Sequence, residues 1–294
     1  MSAADALREA TSRLASVSDT PRLDAELLMA HAAGLERGAL LLRLRDMNEP
    51  EGFAALINRR LTHEPVSQIV GTREFWTMTL NVTRDVLTPR PDSETLIEVA
   101  VAHFAGREGP KRILDLGTGS GALLLAALSE WPSATGLGVD ISPAALAVAR
   151  GNALRCGLEG RAEFALGDWF AGVEERFDLI LANPPYIATS AVLPPDVADY
   201  EPPGALFAGP DGLDAYRILA PQMGAHLTPG GMAAVEIGHD QGVSAAALFT
   251  AQGLEVSLHN DLAGHTRCLL ILGAPTGPEP IIRNVSEATR FGSK

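Results

Sequence analysis

Cysteine is scarce in this 294-residue chain, which contains only Cys156 and Cys268. The two show neither a C-x-x-C spacing nor the spacing of a metal site, so the sequence predicts no disulfide framework and no metal site. No apolar run reaches the ~18 residues that a membrane span needs. The first residues also lack the apolar core of a signal peptide. These absences favour a cytoplasmic protein that has no membrane partner.

Lysine is almost absent as well, since Lys111 and Lys294 are the only two, and the formal net charge is −13. A protein that grips duplex phosphates needs Lys and Arg concentrated on one face. The arginines of this chain are scattered among acidic residues, so we expect no stable binding to nucleic acid. A local basic patch for RNA or for a partner protein stays open.

Residues 1–65 have the periodicity of helices and predict a small bundle that docks a substrate or is purely structural. Apolar residues from Leu7 to Val17 recur at helical spacing, and Asp19-Thr20-Pro21 supplies a cap and a first-turn proline for a second helix. A third helix is predicted over Glu49–Thr62. No cluster of titratable residues in this segment suggests chemistry.

Residues 66–84 are predicted to form a β-hairpin that links two domains. Large apolar residues alternate with mostly polar ones from Trp76 to Val82, which indicates a half-buried strand. Val66–Val70 is predicted as the partner strand, with Gly71-Thr72 as the turn.

The segment LTPRPDSE follows the hairpin, and its two prolines keep the chain extended. Asp92 or Ser93 is predicted to cap a helix over Glu94–Ala105. Because the segment comes directly before the first strand of the next domain, it is also a candidate wall of the substrate site.

Strands and helices alternate from Lys111 onward, which predicts an α/β domain over residues 85–274, with a mostly parallel sheet and helices on both faces. Residues 275–294 contain several prolines and polar residues and predict a disordered tail. The predicted strands are Arg112–Leu116, Gly136–Asp140, Ala162–Asp168, Phe177–Asn183, Met232–Gly238, Leu254–His259 and Cys268–Leu272.

A D-x-G-x-G-x-G turn follows the first of these strands. Its glycines, Gly117, Gly119 and Gly121, alternate, whereas the G-x-G-x-x-G spacing seats a pyrophosphate. Asp115 precedes them, and a carboxylate aimed at the ligand suits an ammonium group better than a phosphate. S-adenosylmethionine (SAM) carries an ammonium group and no phosphate, so we predict SAM as the cofactor.

Three further residues at the carboxyl ends of strands complete the predicted cofactor site. Asp140 can accept both ribose hydroxyls, Asp168 can accept the adenine amino group, and Trp169 offers a ring for packing. In an open parallel sheet such strand ends face one crevice.

The fourth strand ends in Asn183-Pro184-Pro185-Tyr186. Proline cannot continue a central strand, so the Asn183 side chain and the Pro184 carbonyl are left to face a pocket. Two oxygen acceptors suit the two N–H groups of a planar amide or amino group, and Tyr186 can wall the pocket. The quartet resembles that of methyltransferases acting on glutamine amides of proteins or on the N6 amino group of adenine.

The chain as a whole resembles the release-factor glutamine N5-methyltransferases (PrmC, formerly HemK) over nearly all of residues 5–273. The resemblance is carried by PRLDAELLMAH, REFW, LTPRPDSE, DLGTGSGALLLA, VDISPAALAVAR, GDWF, ANPPYI, DGLDAYRIL, PGGMAAVEIGHDQ and DLAGHTR. It implies methyl transfer from SAM to the glutamine of the Gly-Gly-Gln loop of bacterial peptide-chain release factors. Thr88 and Ser93 replace the commoner Ile and Thr.

Carried over by position, the resemblance also implies the site residues. Catalysis falls to Asn183, Pro184 and Tyr186, and glutamine binding to the same quartet, including Pro185, with Leu87 and Arg90 nearby. The implied SAM contacts are Gly117, Thr118, Gly119, Ser120, Gly121, Asp140, Asp168, Trp169 and Asn183.

Other functions stay open at this stage. Ribosomal-protein glutamine methyltransferases are close cousins, but they usually have Cys where Gly117 stands and lack the Arg-Pro-Asp-Ser-Glu run. An adenine N6-methyltransferase shares the quartet but would need a basic recognition region. A SAM-binding adaptor without catalysis is the alternative from a different class.

Overall fold

The structure is a computed structural model that describes residues 1–273 and the backbone of residues 283–284. The described chain divides into two units. A helical unit comprises residues 1–73, 82–84 and 193–201, and an α/β unit comprises 74–81, 85–192 and the described residues from 202 onward. The predicted disordered tail, 275–294, lies outside the described residues apart from 283–284.

The helical unit contains α1 (Ala3–Leu14), α2 (Pro21–Ala33), α3 (Arg37–Arg43), α4 (Phe53–Leu61), α5 (Val66–Val70) and the short α9 (Pro195–Ala198). Its core is apolar and fully buried, with Leu7, Leu28 and Phe53 among its largest side chains. The predicted third helix begins later than expected, because Gly52 takes a left-handed conformation directly before Phe53.

The prediction that Val66–Val70 is a strand is wrong, because these residues form α5. Pro65 precedes this helix and Gly71 ends it with a left-handed φ of 81°. Gly71 is therefore a helix C-cap and not the turn of the hairpin. The hairpin instead pairs β1 (Thr72–Phe75) with β2 (Met78–Asn81), and its turn lies at residues 76–77.

The α/β unit is built on an eight-stranded sheet with the order β10-β8-β9-β7-β6-β3-β4-β5. All neighbours pair in parallel except β9, which is antiparallel to both β7 and β8. This confirms the predicted mostly parallel sheet. The strands are β3 (Arg112–Leu116), β4 (Thr135–Asp140), β5 (Ala162–Leu166), β6 (Phe177–Ala182), β7 (Leu227–Glu236), β8 (Glu255–Asn260), β9 (Thr266–Leu272) and β10 (Arg283–Asn284).

Helices cover both faces of this sheet, so its central strands are buried on both sides. Along β6, Leu179 and Leu181 belong to a core shared with the helices on one side of the sheet, while Ile180 and Ala182 belong to a core shared with the helices on the other side. The helices are α6 (Glu94–Phe104) and α7 (Ala122–Glu130) on one side, and α10 (Asp214–His226) and α11 (Gly242–Thr250) on the other; α8 (Pro143–Arg155) contacts β4 and β5. Burial on both faces explains why β6 reads as a continuous apolar run.

Every helix among the described residues is too short or too polar to cross a membrane.

Candidate active site

The register of the sheet brings four strand ends to one level. Leu116 of β3 pairs with Val139 of β4 and with Ala182 of β6, and Ala182 pairs in turn with Val235 of β7. The next residue of each strand therefore leaves the sheet at the same edge, and these residues are Gly117, Asp140, Asn183 and Glu236. The carboxyl edge of a parallel sheet is where open α/β folds bind ligands.

A cavity of about 460 Å³ opens at this edge, which is the size of a small-molecule site. Twelve predicted site residues line it, and all belong to the α/β unit. They are Leu87, Arg90, Asp115, Gly117, Thr118, Gly119, Ser120, Asp140, Asp168, Trp169, Asn183 and Pro185. Pro184, Tyr186 and Gly121 do not line the cavity; Pro184 is buried, and Gly121 begins α7.

The glycine turn is held tightly against the end of β4. The backbone N–H groups of Gly117 and Thr118 both donate to the carbonyl of Val139, at 2.8 and 3.0 Å. Gly117 has a φ of 69°, and a Cβ there would approach the Trp169 ring to 3.6 Å. The turn thus offers backbone rather than side chains to a ligand.

Asp115 places a buried carboxyl group behind this turn. One oxygen, Oδ2, accepts from Thr118 Oγ1 at 2.6 Å and from the Leu124 N–H at 3.3 Å. The other oxygen, Oδ1, is buried and has no hydrogen-bond partner. Burial raises the pKa of Asp115 to about 7.

An unpaired carboxylate oxygen at a cavity wall is a costly feature unless a ligand satisfies it. A cationic group restores the ionised form, because an opposite charge lowers a carboxyl pKa. The Asp115 site therefore fits an ammonium group such as that of SAM.

Asp140 and the segment after β5 form a further part of the cavity lining. The two oxygens of Asp140 accept from the N–H groups of Gly119 and Ser142, both at 2.8 Å, and each keeps a lone pair for a ribose hydroxyl. β5 ends at Leu166, two residues earlier than predicted, so Asp168 lies on an exposed loop. Trp169 follows with a φ of 53°, a conformation that non-glycine residues seldom adopt.

Asn183 is oriented by a chain of hydrogen bonds behind the cavity. Its Nδ2 donates to Ser93 Oγ at 3.0 Å, and the Ser93 hydroxyl donates to Glu236 Oε2 at 2.5 Å. With Nδ2 engaged, Oδ1 is the atom of the amide that can accept from a ligand. Tyr186 also points its hydroxyl at Glu236, at 3.3 Å.

The predicted capping role of Ser93 is wrong. Residues Pro91–Ser93 form one turn of 3₁₀ helix, and Ser93 has helical backbone angles with no side-chain cap bond. Its hydroxyl instead donates to Glu236 and accepts from Asn183. Helix propensity at the start of α6 could not reveal this, because both partners lie far away in the sequence.

Sequence reasoning missed Glu236 as a site residue. It is only 1% exposed, and burial raises its pKa to about 7 although the charge of Arg267 opposes this. The available signal was an acid at the end of the apolar strand MAAVE, in the position that Asp140 occupies on β4. Glu236 appeared in the sequence analysis only as part of PGGMAAVEIGHDQ, one of the motifs that carry the family resemblance.

Two family models match the chain. The PrmC N-terminal domain matches residues 5–71, and the methyltransferase small domain matches residues 93–197. The first match lies within the helical unit, and the second spans the glycine turn and Asn183.

Curated relatives match along most of their length. The chain is 50% identical over 270 residues to the release factor glutamine methyltransferase of Rhodospirillum rubrum, covering 90% of this chain and 82% of that protein. It is 49% identical over 275 residues to the release factor glutamine methyltransferase of Cereibacter sphaeroides, covering 91% and 97%. A third, from Caulobacter vibrioides, is 45% identical over 259 residues, covering 86% and 89%.

Solved structures confirm the fold. The hMettl16 catalytic domain, solved in complex with MAT2A 3′UTR hairpin 6, superposes with a TM-score of 0.56 at 13% identity. The match covers 74% of this chain and 84% of that one. At this identity the likeness concerns the methyltransferase-like fold alone.

Proposed function

The chain belongs to the release factor glutamine methyltransferase family, and we propose that it methylates the side-chain amide nitrogen (N5) of the glutamine in the Gly-Gly-Gln loop of bacterial peptide-chain release factors. The observation that carries the proposal is the Asn183 amide, which lines the cavity beside the glycine turn with its Nδ2 held by Ser93. Its Oδ1 would accept an N–H of the substrate.

The enzyme depends on SAM, and the cavity residues divide between this cofactor and the substrate. Asp115 would pair with the ammonium group, Asp140 would accept the ribose hydroxyls, and Asp168 with Trp169 would bind the adenine. Leu87 and Arg90, which also line the cavity, would contact the glutamine side. Bound SAM supplies an electrophilic sulfonium methyl group.

The chemical task of the protein is positioning, because an amide nitrogen is a poor nucleophile. Asn183 Oδ1 would accept one N–H bond of the glutamine amide. The carbonyl of Pro184, a buried residue between the lining residues Asn183 and Pro185, would accept the other, and together they would fix the direction of the nitrogen. Holding reactants in a near-attack geometry can supply ~7–11 kcal/mol. The same two oxygens favour the positive charge that develops on nitrogen. The proton would then be lost to water.

Tyr186 was predicted to wall the pocket, but it does not line the cavity. It packs against the core under the sheet edge, and its hydroxyl contacts Glu236. Its side chain would support the quartet from behind, while Pro185 meets the cavity.

Replacing Asp140 with alanine should weaken SAM binding by roughly 10- to 100-fold, because the two ribose hydroxyls would lose the carboxylate that accepts their hydrogen bonds. The same change frees the Gly119 N–H, so the turn also loosens. Calorimetric titration with SAM measures the dissociation constant. Glu163→Ala removes an exposed carboxylate of β5 outside the cavity and serves as the control. A dissociation constant equal to the control's would remove Asp140 from the cofactor site.

A transfer assay with radiolabelled SAM tests the function itself. We expect label to enter a release factor, and mass analysis to place one methyl group on the glutamine of its Gly-Gly-Gln loop. A release factor with alanine at that glutamine is the matched control and should stay unlabelled. Label that enters DNA, RNA or a ribosomal protein instead would support one of the alternative methyltransferases, and label in none of them would support an adaptor.

We also propose the cytoplasm as the compartment, because the substrate is a factor that acts on ribosomes. Stable nucleic-acid binding is not expected at a net charge of −13.

A further inference from the structure

Glu236 is a buried carboxyl group that the positioning of the substrate does not use directly. It ends β7, next to β6, whose following residue is Asn183. Its two oxygens receive the hydroxyl groups of Ser93 and Tyr186. Burying a carboxyl group costs folding free energy unless hydrogen bonds or an opposite charge compensate for the lost hydration.

We propose that Glu236 is a positioning residue for methyl transfer, which acts through the Ser93 hydroxyl to hold the Asn183 amide with its oxygen toward the substrate. The inference rests on the proposed function, in which Asn183 Oδ1 accepts an N–H bond of the glutamine amide.

The direction of each hydrogen bond follows from what each group can do. An ionised carboxylate has no proton and can only accept, so the Ser93 hydroxyl must donate to Glu236. The Ser93 oxygen then accepts, and its partner on Asn183 must be Nδ2 rather than Oδ1. The ionised form of Glu236 thus selects one of the two orientations of the Asn183 amide, which is the one that presents Oδ1 to the cavity.

Protonation of Glu236 would reverse this chain. The contact to Ser93 is 2.5 Å and the contact to Tyr186 is 3.3 Å, so a carboxyl proton would be donated to Ser93. The Ser93 hydroxyl would then donate to Asn183, whose oxygen would turn toward Ser93. An N–H donor would face the N–H groups of the glutamine, and the substrate would lose its acceptor.

The surroundings of Glu236 put this change close to neutral pH, since burial raises its pKa to about 7. Charged and titratable groups face it from every neighbouring element. Arg267, on β9, opposes the rise and Asp92 adds to it. Two tyrosines contact Glu236: Tyr186 donates its hydroxyl to the carboxylate, and Tyr216, on α10, donates its hydroxyl to the Glu236 carbonyl. Cys268, on β9, pairs with Glu236, and Asp261 forms an ion pair with Arg267.

The sign of the pH effect follows. Activity needs the ionised carboxylate, so kcat/KM for the release factor should fall as pH drops below about 7, by tenfold per pH unit for one proton. SAM is kept saturating, because a bound ammonium group holds Asp115 ionised. Affinity for the release factor in the presence of S-adenosylhomocysteine gives a second readout that needs no turnover, and it should follow the same profile.

The key variant is Glu236→Gln, which keeps the size of the side chain and cannot titrate. Its pH profile should be flat, and at high pH its kcat/KM should be roughly 10- to 100-fold below that of the unchanged protein, because an amide selects the Asn183 orientation weakly. The dissociation constant for SAM should not change. Asp178→Asn is the control, since Asp178 accepts bonds at the opposite end of β6; this change should leave the pH midpoint in place.

A double mutant separates action through Ser93 from a general packing role. Ser93→Ala should lower kcat/KM as much as Glu236→Gln does, and the double variant should have the same kcat/KM as Ser93→Ala. Ser93→Thr keeps the hydroxyl group and should therefore keep the activity of the unchanged protein. Losses that multiply, or a low-pH limb that survives in Glu236→Gln, would overturn the positioning role while leaving the proposed function intact. Full turnover in Asn183→Ala would overturn this inference, because the amide that Glu236 orients would then not position the substrate. A release factor that stays unlabelled with the unchanged protein would overturn the proposed function.

Discussion

Asn183→Ala is expected to lower methylation of a release factor roughly 10³-fold while SAM still binds. The substitution removes the Oδ1 acceptor that would aim the substrate amide and stabilise its developing charge. Removing one such preorganised group from an active site typically costs roughly 10²–10³ in kcat. Because the same oxygen would both aim the substrate amide and stabilise the developing charge, we expect the loss to reach the upper end of this range.

SAM binding should survive because other residues would hold the cofactor. The Asp115 carboxyl group and the Asp140 carboxylate keep their partners on the glycine turn and on α8, and neither bonds Asn183. Calorimetric titration with SAM and the radiolabel assay, run on the same preparation, measure the two effects separately.

Asn260→Ala is the matched control for this change. Asn260 is an exposed amide at the end of β8, where it accepts from Thr266. It lies outside the cavity lining, so its loss should leave turnover unchanged. Turnover by Asn183→Ala within the range of this control would show that the amide does not position the substrate.

Much of the site could be predicted from the sequence because it depends on local chain features. A strand that runs into two prolines must end, and a carboxylate that closes an apolar strand must lie at the sheet edge. Asn183 meets the first condition and Asp140 the second, and the register places them at one level. The glycine turn is likewise fixed by the backbone angles that its glycines allow.

The network behind the cavity could not be predicted in this way. Ser93 and Glu236 are 143 residues apart in the chain and meet through their side chains. The sequence gives Ser93 the features of an ordinary helix cap and Glu236 those of an ordinary strand end. Their hydrogen bond depends on how α6 packs across the sheet, which is a matter of tertiary contacts.

The error at α5 has a different physical origin. VSQIV is a five-residue segment with three apolar residues, and periodicity over so few residues fits a helix as well as a strand. Gly71 supports either reading, because a left-handed glycine can end a helix or form a turn. The contacts of the helical unit decide, since Ile69 packs into its core.

Gly212→Ala should lower both stability and activity. Gly212 is buried with a φ of 74°, and a Cβ built there would overlap the carbonyl oxygen of Tyr186 and lie 2.7 Å from Gln241 Nε2. Gln241 Nε2 donates to the carbonyls of both Tyr186 and Gly212, at 2.9 and 3.3 Å. An added methyl group therefore pushes apart the backbone that this side chain holds together.

The displaced backbone belongs to the catalytic quartet, so the effect should reach the reaction. Moving the Tyr186 carbonyl shifts the chain that fixes Asn183 and Pro184, and a displacement of about 1 Å at an active site can cost 10²-fold in rate. The left-handed backbone adds roughly 1–2 kcal/mol for any residue with a Cβ. Together with the overlap, we expect the melting temperature to fall by several degrees.

Gly230→Ala separates the cost of the left-handed backbone from the cost of the overlap, because Gly230 has a φ of 81° and nothing within 4 Å of its Cβ position. This control should show the backbone cost alone, with a small fall in melting temperature and normal turnover. Thermal unfolding and the radiolabel assay are measured for both variants. If Gly212→Ala lost no more stability or turnover than Gly230→Ala, the quartet would tolerate a moving Tyr186 backbone, and its rigidity could not explain how the substrate amide is aimed.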